Sequence, residues 1–581
     1  MAETLLSPGV FSIENDQSQI TQGPIAAGAA IIGPTVTGPV NIPTVVTSYS
    51  QYKAIFGAAF VSGGASYEYL TSMAALGYFQ QGGNSLLVTR VASGSYTPAT
   101  STISGSTSNT AFTLETLSVG TIMNNAGAAV SGALVSGSSA NIRWEITAAD
   151  TGSGYFSLNI RRGDDYQNNK TILETWNNLS LDPNQNNYIE YIIGNQTQNA
   201  IVDPTTGNYY LQTTGSYTNN SNYVRIKSVS LPTPNYLNSF GQPQVQYTSS
   251  IPVVGSGSLN GAFAGATGTL YGSFGIAPLL MFENIPSVTA TQVNNVQGLL
   301  GSSYDIAINL LGNSDAYNFN TIYAPGITSQ NATSQITALL TLAQNRGDNI
   351  AVIDLVGYGQ NIGVVKTAAQ SYDNSYGAAY WPWVQVKSAE TGKLNFVPAS
   401  TMVPAVYEYN DKISAEWFAP AGFTRGGMST VLQPERKLSV DDRNTLYQSK
   451  VNPIATFPGV GTVIYGQKTL QQKASALDRV NVRRLLIALK GYIGQIADNL
   501  VFEPNTQVTR NKFLNAVNPY LASVQQRQGL YSFSVVMDDT NNTPSVIDRN
   551  ELVGSIYLQP TRTAEFIYLT FNILPTGVTF G

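Results

Sequence analysis

The segment Asp478–Leu500, DRVNVRRLLIALKGYIGQIADNL, constrains the fold more than any other. Val482, Leu485, Leu486, Leu489, Ile493, Ile496 and Leu500 recur every three or four residues, which predicts a helix with one buried stripe. At about 100° per residue, Arg479, Arg483 and Lys490 fall together along one flank of that stripe. A second helical pattern follows, with Phe513, Val517, Leu521 and Val524 on one side. Two strand-like runs come next, YSFSVVM and LVGSIYL. In the last run, AEFIYLTFNI, Ile567, Leu569, Phe571 and Ile573 alternate with Phe566, Tyr568, Thr570 and Asn572. Helix, helix and strands predict a compact α+β unit near the C-terminus.

Composition narrows the chemistry. The 581 residues include no cysteine and no histidine. Disulfides, thiolate metal sites, cysteine nucleophiles and a Ser-His-Asp triad are therefore excluded, and the commonest general base and metal ligand is missing. A net charge of −5 with no basic tract argues against nucleic acid as a partner. The opening MAETLLSPGVFSIEND has no basic n-region and no apolar h-region, so no signal peptide is expected. No apolar run reaches the ~18 residues of a membrane span, and the chain is expected to be made soluble in a cytoplasm.

Taken in order, the chain changes character three times. Leu5, Leu6, Val10, Phe11 and Ile13 surround a Ser-Pro-Gly turn and form an apolar, extended arm that needs a surface to dock on. Residues 24–92 read as strands around a helix, SYEYLTSMAALGYFQQGG, with Tyr69, Met73, Leu76 and Phe79 on one face. From about 95 to 270 the chain turns rich in Ser, Thr, Asn and Gly, with short β-type runs such as NIRWEITAA and YFSLNIRRG. From about 276 it reads as α/β: the strand FNTIYAPGI, the helix SQITALLTLAQNRG, and the apolar strand DNIAVIDLVGYG.

Several segments, in one order, resemble the sheath proteins of contractile tails, and above all those of T4-like bacteriophages. They are YSQYKAIFG, GAAYWPWVQV, WFAPAGFTRGG, VNPIATFPGVGTVIYGQKTL, NVRRLLIALKGYI, VFEPN, VVMDDTNNTPSVIDRNEL and IYLQPTRTAEFIYLTFNI. The resemblance covers residues 5–92 and 276–575 well and the middle weakly. It implies a multidomain α+β chain. The expected units are an N-terminal arm (1–22), the first part of an α/β scaffold (23–94), inserted outer β-rich domains (95–270), a central α/β block (271–400), an inner α+β domain (401–561) and a C-terminal strand arm (562–581).

The resemblance also implies the function. A sheath subunit polymerises in six-fold rings around a tail tube and contracts by a change of lattice packing, driving the tube through a host envelope. Its partners are further copies of itself, the tube protein, and baseplate and terminator proteins; no cofactor, metal or nucleic acid is implied. Its place is the virion, assembled in the host cytoplasm. Leu5, Val10, Phe11 and Ile13 at one end, and Ile567, Leu569, Phe571 and Ile573 at the other, are then arms that add strands to neighbouring subunits. Arg479, Arg483 and Lys490 are the candidates for facing an acidic tube, against the plainer reading of a solvated flank. Alternatives are the sheath of a bacteriocin or secretion machine and, further off, a receptor-binding virion protein.

Other motifs dissolve on inspection. Gly461 and Gly466 in GVGTVIYGQKT have phosphate-loop spacing, but Gln467 stands where the lysine is required. Asp441-Asp442 and Asp538-Asp539 are sequence neighbours, which does not make a proton-sharing pair. No enzymatic site is expected.

Overall fold

In the computed structural model, the described residues are 25–62, 65–92, 98–119, 142–163, 165, 168–258, 295–296 and 299–565. The arm residues Leu5, Val10, Phe11, Ile13, Ile567, Leu569, Phe571 and Ile573 lie outside them.

An eight-stranded sheet forms the scaffold. Its strands are β1 (Ile25–Gly33), β2 (Thr44–Val46), β3 (Leu86–Arg90), β4 (Tyr317–Thr328), β5 (Ile350–Asp354), β6 (Gly377–Trp381), β7 (Val451–Phe457) and β8 (Gly461–Ile464). Their spatial order is β2-β3-β1-β4-β5-β6-β7-β8. The six inner strands run parallel, while β2 and β8 are antiparallel edges. β1 holds the two halves of the chain together, because Ile31 pairs with Val88 on one side and with Tyr323 on the other.

Both faces of the sheet are covered, as its near-continuous apolar strands require. One face buries Ile31, Val88, Tyr323, Val352 and Tyr380 under helices α1 (Tyr49–Phe56), α2 (Leu70–Gln80) and α5 (Val403–Ile413). The other buries Ile32, Leu87, Ile322 and Ile353 under α3 (Thr333–Arg346), α4 (Ile362–Gln370) and α6 (Val440–Gln448). Local chemistry sets the helix ends. Ser48 and Asn361 cap α1 and α4, Ser439 and Asp442 form a capping box on α6, and Gly347, at φ +71°, closes α3 in the left-handed region.

Two expectations change here. The helix read from Ser66 starts only at Leu70, because residues 65–68 pair with 59–62 as an antiparallel hairpin. It is also buried nearly all round, Thr71, Ser72, Ala75 and Tyr78 included, since it is wedged between the sheet and α5. The segment 401–470, read as the start of the inner domain, instead completes the scaffold through α5, α6, β7 and β8.

Between β3 and β4 the chain makes antiparallel sheets. A four-stranded sheet (Ile172–Ser180, Tyr155–Arg162, Ile142–Asp150, Gly255–Ser258) and a three-stranded one (Val224–Val229, Thr110–Val119, Pro98–Ser104) share a core of Phe112, Leu114, Ile146, Phe156, Leu158 and Ile226.

The C-terminal unit has α7 (Val480–Asp498), α8 (Gln507–Gln526) and an antiparallel hairpin, β9 (Leu530–Val536) with β10 (Ser555–Pro560). Leu485 and Leu489 of α7 meet Phe513, Val517, Leu521 and Val524 of α8, with Ile493, Ile496, Phe533 and Leu558 packed around them. No helix among the described residues is long and apolar enough to cross a membrane.

Candidate assembly interface

The first half of α7 is buried on two sides, so it belongs to two cores. Val480 and Ile487 sit in the scaffold core, whereas Leu485 and Leu489 sit in that of the C-terminal unit. This explains the adjacent Arg483 and Arg484. Neighbours on a helix point about 100° apart, so each reaches a different surface.

The three cations read as one flank do lie along one side of α7, but that side faces the protein's own scaffold over much of its length. Arg479, the N-cap residue, grips Glu565 through two bonds, Nε–Oε1 at 2.6 Å and Nη2–Oε2 at 2.9 Å, and also pairs with Asp478 at 2.7 Å. Gln467 donates to the same Glu565 carboxylate at 3.1 Å. Partial burial pushes the Glu565 carboxyl up, but the bonds from Arg479, Tyr447 and Gln467 outweigh it and hold the group below the usual range. Arg483 is buried. It donates to the Ser375 carbonyl and hydroxyl, and its guanidinium lies 3.9 Å from the centre of the Tyr376 ring. Burial lowers its proton affinity. Lys490 is the exposed member, with Nζ 3.4 Å from the Tyr376 hydroxyl.

Arg484 is the residue that sequence reasoning passed over. Its guanidinium is buried against Tyr407 and bonded to both oxygens of Asp411 on α5. Glu408 and Glu416 stand near the same pair. Burial, then the charge of Asp411, pushes the Glu408 carboxyl up to about 7, against the opposing effects of Arg484 and the Tyr78 hydroxyl. The doublet Arg483-Arg484 was the available signal, since two adjacent arginines on an apolar helix call for two partners.

The hairpin β9–β10 is the other distinctive feature. Phe533, Val535, Ile556 and Leu558 turn inward to the helices, while Tyr531 and Tyr557 are exposed. It is a two-stranded sheet, so each strand pairs on one side and leaves its other edge without a strand partner among the described residues. Isolated two-stranded sheets are marginal, and open edges are templates for further strands.

The break between scaffold and C-terminal unit coincides with a family boundary. Residues 305–470 match the phage tail sheath protein central domain, and residues 472–574 match the phage tail sheath C-terminal domain. The chain is similar to tail sheath proteins over these stretches. It is 43% identical over 186 residues to the tail sheath protein of Vibrio phage KVP40, and 39% identical over 185 residues to that of Enterobacteria phage T4. Each match takes in 32% of this chain and only 28% of the relative. The tail sheath protein of Salmonella phage ViI is 31% identical over 283 residues, 47% of this chain and 44% of that protein. A sheath tail protein of Listeria innocua shares the fold, with a TM-score of 0.51 at 11% identity over 93% of this chain and 96% of the other.

Proposed function

We propose that this chain is the structural subunit of a contractile bacteriophage tail sheath. Copies polymerise in six-fold rings around a tail tube, meet baseplate and terminator proteins at the ends, and contract to drive the tube through the host envelope. The reading places the chain in the virion, after assembly in the host cytoplasm. The observation that carries it is the two-stranded hairpin on a domain of the sheath family. An extended arm from another copy extends such a sheet by main-chain hydrogen bonds alone. The arm at Leu5–Ile13 is apolar, and that at Ile567–Ile573 has the alternating sequence such a strand needs. Contraction then requires no bond chemistry. The energy is the difference in intersubunit contact between two packings of the same folded subunits, a bistable lattice.

The test is deletion of residues 1–16. A protein that melts as before by circular dichroism but no longer sediments as polymers supports the woven lattice. Normal polymers from the truncated chain sink it. A lowered melting temperature instead shows that the arm folds onto its own subunit.

A further inference from the structure

At the far end of α7, away from the scaffold, the turn 499–506 carries a phenylalanine in an unusual state. Phe502 is fully exposed and has φ +69°, a left-handed conformation that bulky residues rarely adopt. Val501 and Val508 beside it are exposed as well. The turn is bolted in place. The Glu503 amide donates to Leu500 O at 3.1 Å, and Asn505 Nδ2 donates to Asn542 Oδ1 at 3.1 Å and Glu551 O at 2.8 Å. Asn542, itself buried, exchanges two further bonds with the Val553 backbone. The rim of this knob is acidic. Asp498 and Asp548 are exposed and have no ion-pair partner among the described residues, Asp538 is exposed within the field of Arg510, and the nearby cations Arg510, Lys512 and Arg549 each stand by a carboxylate, Asp539, Glu503 and Glu551.

A surface of the opposite character lies on the scaffold around the β7–β8 hairpin. The rings of Phe423, Phe457 and Tyr465 form a closed triangle with centroids 5.0, 4.8 and 5.9 Å apart. Phe423 is 55% exposed and Tyr465 45%. The Arg443 guanidinium lies 5.2 Å from the Phe457 ring and 5.8 Å from the Tyr465 ring. It donates to Leu438 O at 3.2 Å and meets no carboxylate among the described residues. Arg425, on the same segment as Phe423, likewise bonds only a carbonyl, Ala419 O at 3.2 Å.

We infer that the Phe502 knob of one copy seats on the Phe423–Phe457–Tyr465 cradle of another copy of this chain. An apolar tip with an acidic rim meets an aromatic triangle flanked by arginines, the combination of exposed rings and cations from which interface hot spots are built. The contact cannot be made within one subunit. The Val480 amide is tied to Gln467 O, two residues beyond Tyr465, so α7 begins beside the cradle and carries the knob about 28 Å away at 1.5 Å per residue. Two different patches in contact make a head-to-tail interface, which closes into a ring or runs on as a helix. The inference rests on the sheath reading and adds a contact to it that uses neither terminal arm.

Phe502→Gly separates folding from assembly, because glycine accepts the positive φ that phenylalanine resists. The monomer's melting temperature is expected to hold or rise, while the concentration needed for polymers in sedimentation rises at least roughly tenfold. Arg443→Glu is expected to raise it in the same way. The chain has no cysteine, so an equimolar mixture of Phe502→Cys and Phe423→Cys subunits can be oxidised to report the contact directly. Disulfide dimers are expected from pelleted polymers of the mixture and from neither variant alone. Unchanged polymerisation of Phe502→Gly, or polymers of the mixture without dimers, overturns the knob and cradle and leaves the sheath reading standing. Wild-type protein that never polymerises overturns both.

Discussion

The scaffold and the C-terminal unit solve the same problem, how to finish a β-sheet, in opposite ways. In the scaffold, six parallel strands are covered on both faces and closed by two antiparallel edges. Even the outer edge of β8 is occupied, since the Ile464 amide bonds to Gly426 O and the Met428 amide to Thr462 O. The C-terminal unit stops at two strands over two helices, with tyrosines on the open face. Among the described residues one sheet is closed at its edges, and the other stops at two strands, the sheet that an arm completes in the function proposed above. On the proposed sheath reading the chain keeps its folding and its joining in different places, so changes to one region need not disturb the other.

Substitution at the seam between the two regions is the strongest way to break this contrast. Asp411→Ala strands the buried Arg484 guanidinium and is expected to cost about 3 kcal/mol in urea unfolding, discounted for the partial exposure of Asp411. A loss below ~1 kcal/mol means that α7 is held by apolar packing alone. pH acts next. Burial raises Asp354 to about 7, against two bonds from Ser400, and Glu408 also reaches about 7. Both groups bind protons more tightly folded than unfolded. Their contribution is therefore full below about pH 4 and is lost as pH rises toward 7, the reverse of a salt-bridged carboxylate. Glu408→Gln is expected to stabilise the protein at pH 8 by up to ~3 kcal/mol and to change little at pH 4, as melting curves at the two values will show.

Smaller effects sharpen the comparison. Replacing residues 95–270 by a Gly/Ser linker is expected to leave a cooperative melt, because the inserted sheets have a core of their own; complete loss of folded protein refutes that separation. Of the three flank cations, Arg483→Gln is expected to cost the monomer ~1–2 kcal/mol through its lost bonds to Ser375. Lys490→Gln is expected to cost under ~0.5 kcal/mol and to weaken only attachment to tubes, most visibly at low salt. Equal tube decoration by the Lys490 variant removes this flank from the tube contact.

What the sequence made legible follows the range of each signal. The α7 stripe and the apolar residues Phe513, Val517, Leu521 and Val524 of α8 are local periodicities, and the structure has helices there. The pairing of β1 with a strand almost three hundred residues later is not local, and two apolar strands carry no mark of which partner they choose. The placement of Arg483 failed for the same reason. A helical wheel gives its angle but not Ser375, 108 residues upstream, and its neighbour Tyr376, which cover that angle. The helix wedged under the sheet lost its face for a related cause, since a segment enclosed on all sides has no amphipathic pattern to read.

Glu565 gives the unit a mechanical property. It lies just beyond β10, and its carboxylate is moored to Arg479 at the root of α7 and to Gln467 beside β8. Without that mooring, tension on the chain past this point would open the hairpin like a zipper, one main-chain bond at a time from Leu530 and Pro560 inward. With it, the same tension is delivered in parallel to a two-pronged ion pair and passes into the scaffold. The two-stranded hairpin is thereby shielded from any tug on the chain that leaves it.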